Sequence, residues 1–134
     1  MALDAEALRS SLELVASRQP IITTRFYEIF FSRYPQVRPM FSRNAPERQQ
    51  RMLQESIVAV VDHLEDAEWL KSTLHGMGAK HKDYGVTEEM YPWVGECLIA
   101  TLKEIAGAEW TPRIEKAWVD AYGAITGLML EGAK

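Results

Sequence analysis

Cysteine is nearly missing from this chain: one thiol, Cys97, in 134 residues. A lone thiol excludes an internal disulfide framework and any four-thiolate zinc or iron–sulfur centre. A basic excess is missing too, since fifteen Lys and Arg face nineteen Asp and Glu for a net charge of −4. That balance argues against nucleic acid, whose recognition calls for a clustered basic surface. No segment approaches the run of about eighteen apolar residues that a membrane span needs. The start, MALDAEALRSS, lacks the basic stretch and apolar run of a secretory signal. P-loop, GxGxxG and GxSxG signatures are absent, as are alternating strand patterns, repeats and low-complexity tracts. The expectation is a reduced, cytoplasmic chain folded as one all-α domain over residues 1–134.

Helical periodicity is what the sequence has in quantity. Asp4 can cap a first helix whose apolar face is Leu8, Leu12 and Val15. Pro20 suits the first turn of a second helix with Ile22, Phe26, Ile29 and Phe30 on one side. Tyr27, Phe31 and Tyr34 form an adjacent stripe, so this helix should meet two different surroundings. Pro35 and Pro39 bracket a segment fit only for a turn or a short 3₁₀ helix. Pro46 then opens a long helix carrying Leu53, Ile57, Val60 and Leu64, and the same period continues through Trp69, Leu70, Leu74, Met77 and His81 to Gly85. Gly76 and Gly78 should make its later part irregular. Thr87 with Glu88 and Glu89 reads as the next helix start, and that helix ends near Gly107. Thr111-Pro112 opens the last, with Ile114, Trp118, Ala121, Ile125 and Leu128 inward. About six substantial helices are expected in all.

Candidate chemistry centres on histidine and tyrosine. His63 and His75 read as surface or partly buried side chains. His81 shares the inward stripe of Leu70, Leu74 and Met77, between Lys80 and Lys82. By spacing alone a hydrogen-bonded core histidine is the favoured reading, because no HExxH or i, i+4 histidine pair accompanies it. Cys97, among Val94, Leu98 and Ile99, reads as a buried inert thiol. Tyr27, Phe30, Phe41, Tyr84, Tyr91 and Tyr122 would ordinarily be core, yet a dry core prefers Phe, and each buried hydroxyl needs a partner. That surplus of hydroxyls suggests a core built around something with polar features.

Three segments taken together resemble the bacterial single-domain globins related to flavohaemoglobins. KHKDYGV followed by EEMYPWVGECL resembles the proximal stretch, with a Lys-His pair, a valine five residues on and the tyrosine of a Tyr-Pro step ten residues on. RFYEIFFSRYPQVRPMF resembles the second helix and following turn, and AWVDAYG the start of the last helix's inner face. The likeness runs from about Leu8 to Leu130. It implies a globin fold around haem b, with His81 as the iron ligand and its other ring nitrogen on a backbone carbonyl or a tyrosine. It further implies Phe41 packed on the porphyrin, Tyr27 and Gln49 as the distal polar pair on which any catalysis would rest, and Leu53 pressing on the ligand. Met77, Val86, Tyr91, Val94 and Tyr122 would line the pocket, with Arg51 and Lys80 near the propionates. The distal count starts from the Leu64-Glu65 step, seventeen residues before His81, and a slip of one would exchange Gln49 for Gln50.

Three departures from the family pattern stand out. The turn after Phe41 is short. Ala133 aligns with the glutamate that partners the proximal histidine in relatives, with Glu131 two residues away. The chain ends after the last helix, so no flavin or nicotinamide domain is expected. The implied function is reversible O₂ binding, with CO and NO as further ligands and NO dioxygenation as an added activity if a separate reductase supplies electrons. Such a protein would act as a monomer or homodimer. A haem-based gas sensor acting in trans on a partner is the alternative. A haem-free interaction module fits less well, because such a core would be apolar where Tyr27, Gln49 and His81 stand.

Overall fold

The computed structural model describes residues 3–41 and 45–134. Six α-helices account for most of it: α1 (Ala5–Arg18), α2 (Ile22–Arg33), α3 (Pro46–Asp62), α4 (Ala67–Asp83), α5 (Met90–Ala106) and α6 (Pro112–Gly132). Short 3₁₀ turns at Pro35–Phe41 and Gly107–Glu109 complete the order. No strand occurs among the described residues, as the periodicity predicts. The short turn expected after Phe41 falls on residues 42–44, outside the described part.

Helix starts follow local chemistry. Asp4 Oδ1 accepts from the Ala7 N–H at 3.2 Å, and Thr111 Oγ1 accepts from the Ile114 N–H at 3.2 Å ahead of Pro112. Each satisfies a donor that the first turn leaves without an intrahelical partner. Ile21, ahead of α2, has no side chain able to cap. Gln54 on α3 supplies the acceptor instead, taking the Ile22 N–H at 3.1 Å. Thr23 Oγ1 adds a bond to the Gln50 carbonyl at 2.6 Å. These two bonds fix the register of α3 against α2.

Leu8, Val15, Ile22, Phe26, Phe30, Cys97 and Leu102 are fully buried where α1, α2 and α5 meet, and Trp118 joins them from α6. Burying one such aliphatic or aromatic side chain is worth about 1.5–3 kcal/mol. Polar groups in this core are partnered: Trp118 Nε1 donates to Ser11 Oγ at 2.9 Å, and Thr101 Oγ1 to the Cys97 carbonyl at 2.7 Å. Burial pushes the Cys97 thiol up to about 11, which keeps it protonated and inert as expected.

The structure sharpens or corrects four local expectations. The run from Pro46 to Gly85, over which the apolar period continues without a marked break, is two helices. His63 ends α3 by donating from Nδ1 to the Ala59 carbonyl at 2.7 Å, and Asp66 starts α4 by accepting from the Trp69 N–H at 3.1 Å. The His63 and Trp69 rings stack across this corner, centroids 3.8 Å apart. Second, Gly76 and Gly78 leave α4 regular. Gly78 is buried against α6, where a Cβ would stand 1.8 Å from the Met129 carbonyl oxygen, and at Gly132 a Cβ would meet the His75 carbonyl oxygen at 2.1 Å. Glycine there permits backbone-to-backbone contact. Third, α5 begins at Met90, not Thr87, which leaves Pro92 in the first turn where its missing N–H costs nothing. Fourth, Pro20 precedes α2 instead of entering it.

Candidate functional site

His81 reaches the site from the last turn of α4. Its Nδ1 lies 2.7 Å from the Met77 carbonyl, four residues back on the same helix. A carbonyl only accepts, so Nδ1 carries the proton and Nε2 is left with its lone pair. The Val86 N–H donates to the His81 carbonyl at 2.9 Å, which anchors the backbone behind the ring. His81 is half-buried and, among the described residues, Nε2 has no hydrogen-bond partner within the protein.

The imidazole faces a cavity of about 200 Å³ whose wall includes Leu53, Met77, Val86, Tyr91, Val94 and Tyr122. Each of these carries a pocket-lining or ligand-side role in the sequence reading. Met90, Ile57, Leu74, Trp118 and Ile125 also line it, and the sequence reading gave them only core positions or none. Tyr122 is held by donating to the Tyr91 carbonyl at 2.6 Å. Its ring packs closely against Gly95, where a Cβ would stand 2.6 Å from Tyr122 Cε2. Gly95 is therefore a positioning residue that sequence reasoning missed. Burial raises the Tyr122 and Tyr91 hydroxyls above the ordinary tyrosine range, so both stay neutral.

A second, wider cavity of about 630 Å³ opens beside the first turn of α3. Tyr27, Phe41, Gln49 and Gln50 line it, together with Phe31 and Arg38. Gln49 Nε2 donates to the Tyr27 hydroxyl at 3.1 Å. Gln50 is turned the other way, its Oε1 accepting from Thr24 Oγ1 at 2.9 Å. The two glutamines that the sequence left open are thus distinguished by their partners. Tyr27 is buried, which raises its hydroxyl above the ordinary range, while the bond from Gln49 works weakly the other way. The ring of Phe41 meets that of Tyr27 edge-on at 5.5 Å.

Four residues stand elsewhere. Arg51 and Lys80 are exposed and line neither cavity, although each adjoins residues that do. Tyr84, expected in the core, is 53% exposed at the end of α4. Glu131 faces His75: its Oε1 lies 3.4 Å from His75 Nε2, within ion-pair range but not aligned as a hydrogen bond.

The globin family model matches residues 24–129, most of the chain. The chain belongs to the globin family. This globin is 35% identical over 122 residues to a flavohemoprotein of Bacillus thuringiensis subsp. konkukian, an alignment covering 90% of this chain and 30% of that protein. It thus spans about a third of the length of such relatives. A bacterial globin of Campylobacter jejuni superposes with TM-score 0.79 at 28% identity, covering 96% of this chain and 93% of that one. An engineered carbene transferase from Rhodothermus marinus, described provisionally as a nitric oxide dioxygenase, superposes with TM-score 0.83 at 27% identity, covering 96% and 89%. No helix among the described residues is long and apolar enough to cross a membrane.

Proposed function

We propose that this globin binds haem b through His81 and binds O₂ reversibly beside Tyr27. The observation that carries the reading is the His81 imidazole, its Nδ1 committed to the Met77 carbonyl and its Nε2 unpartnered at the wall of an apolar cavity. A basic nitrogen left free at an apolar wall is available as a ligand to a metal ion. The lone thiol is buried and no CxxCH run occurs, which favours a non-covalent haem over an attached one. Haem would supply an iron centre for diatomic ligands and for one-electron redox change.

The protein's own part is to hold and to polarise. Met77, Val86, Val94 and Leu53 would pack against the macrocycle, Phe41 would lie on its face, and Arg51 and Lys80 would meet its propionates at the surface. A carbonyl partner leaves the proton on Nδ1 of His81, in contrast to a carboxylate, which would draw that proton away and make the ligand more electron-rich. Because Gln49 donates to the Tyr27 oxygen, the Tyr27 proton is free to be given to a ligand, and the incoming bond polarises the hydroxyl further. O₂ acquires negative charge when bound and gains from such a donor; CO gains little. NO dioxygenation is a further activity of the same pocket, supported by the likeness to the Rhodothermus marinus protein described as a nitric oxide dioxygenase and requiring an electron donor on another protein or domain.

Purified protein loaded with hemin should show a Soret band that shifts with dithionite and shifts again with CO. A protein that stays colourless with hemin present defeats the reading. NO consumption with and without an electron source then separates an oxygen binder from a dioxygenase.

A further inference from the structure

Tyr34 lies outside the pocket, just past the end of α2, and is built differently from the pocket tyrosines. Its hydroxyl donates to Glu96 Oε2 on α5, and Arg33 Nη1 holds Oε1 of the same carboxylate at 3.3 Å. Its ring stacks on Trp93, centroids 4.8 Å apart and planes 10° apart. Behind it the aromatic rings run inward without a break. Tyr34 lies 6.2 Å from Phe30, and Phe30 lies 5.9 Å from Phe31 and 6.0 Å from Phe41. Phe31 and Phe41 line the wider cavity beside Tyr27.

A neutral phenol gives up an electron readily only if its proton leaves in the same event, which requires a base within hydrogen-bond reach. Tyr27 accepts its bond from Gln49, Tyr122 donates to a weakly basic amide carbonyl, and the Tyr91 hydroxyl has no protein partner among the described residues. Tyr34 has both a carboxylate acceptor and a ring path to the pocket. Glu96 also holds the phenol above the ordinary tyrosine range, so the proton does not leave ahead of the electron.

We propose that Tyr34 is a surface oxidation site, through which the haem-loaded globin reduces hydroperoxides at the expense of small solvent-borne reductants such as ascorbate or phenols. The inference rests on the haem reading above. Breaking the peroxide O–O bond takes two electrons and two protons and yields an alcohol, or water from hydrogen peroxide itself, plus one water. Each electron is made good by Tyr34, which sends it inward along Phe30 while its proton moves to Glu96 Oε2, leaving a neutral phenoxyl radical. The external reductant returns one electron, and the proton on Glu96 moves back to the phenol. The proton lost by the reductant balances one consumed in the pocket. Two such cycles of Tyr34 match one peroxide.

The test uses the full chain loaded with hemin, hydrogen peroxide as oxidant, a nitroso spin trap and ascorbate. Freeze-quenched electron paramagnetic resonance should show a phenoxyl radical, and mass spectrometry should place the trap adduct on Tyr34. Tyr34→Phe should remove that adduct and slow ascorbate oxidation severalfold, with the Soret spectrum and the O₂ dissociation rate unchanged. Glu96→Gln should leave the ring stack in place yet slow radical formation by about a hundredfold, the lower end of what a positioned base contributes. An adduct on Tyr27, Tyr91 or Tyr122, or an unchanged ascorbate rate in Tyr34→Phe, overturns the assignment. A protein without a Soret band brings down the haem reading and this inference together. A normal Soret band with the radical elsewhere brings down this inference alone.

Discussion

Where α4 meets α6, backbone meets backbone. Gly78 rests on the Met129 carbonyl, Gly132 on the carbonyl of His75, and His81 is tied to a carbonyl of its own helix. Where α2 meets α3, side chain meets side chain: Gln49 on Tyr27, Gln50 on Thr24, Gln54 reaching back to the start of α2. The first kind of contact has no rotamers to change and tolerates no added atom. The second can be altered one group at a time without moving a helix. In the haem pocket proposed above, the first kind would hold the cofactor rigidly and the second would tune ligand affinity.

The largest test of that contrast is His81→Ala, which should abolish stable hemin uptake, read as loss of the Soret band. His75→Ala, which alters the contact with Glu131 and not the cavity wall, should keep it. If the two outcomes are exchanged, α4 has been misread by most of two turns. Next comes Gly78→Ala. With a backbone carbonyl at 1.8 Å from the new Cβ the helices must separate, at a cost of about 3 kcal/mol in urea-unfolding stability. Gly76→Ala, with nothing within 4 Å of the new atom, should instead gain up to about 1 kcal/mol from helix propensity. Equal effects at the two glycines would mean that the α4–α6 crossing is looser than described.

On the other side, Tyr27→Phe should raise the O₂ dissociation rate about ten- to a hundredfold, since a hydrogen bond to a charged acceptor is worth roughly 1.5–3 kcal/mol. CO dissociation should hardly change. Gln49→Leu should give a smaller rise, because it weakens the polarisation of Tyr27 without removing the donor. Stopped-flow displacement of O₂ by CO reads both. Identical O₂ rates in the parent and Tyr27→Phe would reduce Tyr27 to packing.

The smallest effect is alkaline. Burial raises the native pKa of Tyr27 and Tyr122, whereas in the unfolded chain both ionise near 10. Above that value the unfolded state has released protons that the native state keeps, so stability falls as pH rises from about 10 toward the native values. Below it the two states hold the same protons and this contribution is flat. Tyr122→Phe should make the alkaline fall in urea-unfolding stability shallower, and an unchanged slope would count against the burial argument.

The difference between the two sides also explains what the sequence could disclose. Stripes such as Leu8-Leu12-Val15 and Ile22-Phe26-Ile29 follow the 3.6-residue period and fall where the pattern puts them. So do the caps at Asp4 and Thr111 and the inward position of His81, because each is local or periodic. The Gly78 and Gly132 contacts are neither: they depend on the approach of another helix, and in the sequence they look only like weak points in α4 and α6. The corner at His63–Asp66 was hidden because apolar spacing carries across it, and the break is made by two side chains bonding their own backbone. Tyr84 was misplaced because aromatic character marks burial only on average, and this one follows the last turn of α4. Gln49 and Gln50 could be told apart only once Thr24 and Tyr27 had taken one each.

Cys97, sealed between α2 and α5 and reluctant to ionise, also gives the molecule a clock. A thiol reagent in solution cannot reach it without a large opening of the core, so labelling proceeds only through those rare excursions. When reclosing outpaces the reagent, the labelling rate is the opening equilibrium multiplied by the rate for an exposed thiol, and one measurement reports the free energy of opening under native conditions. Hemin, bound only to the closed form, should slow the clock in proportion to its occupancy. The affinity of the pocket thereby becomes readable from a sulfur atom that takes no part in it.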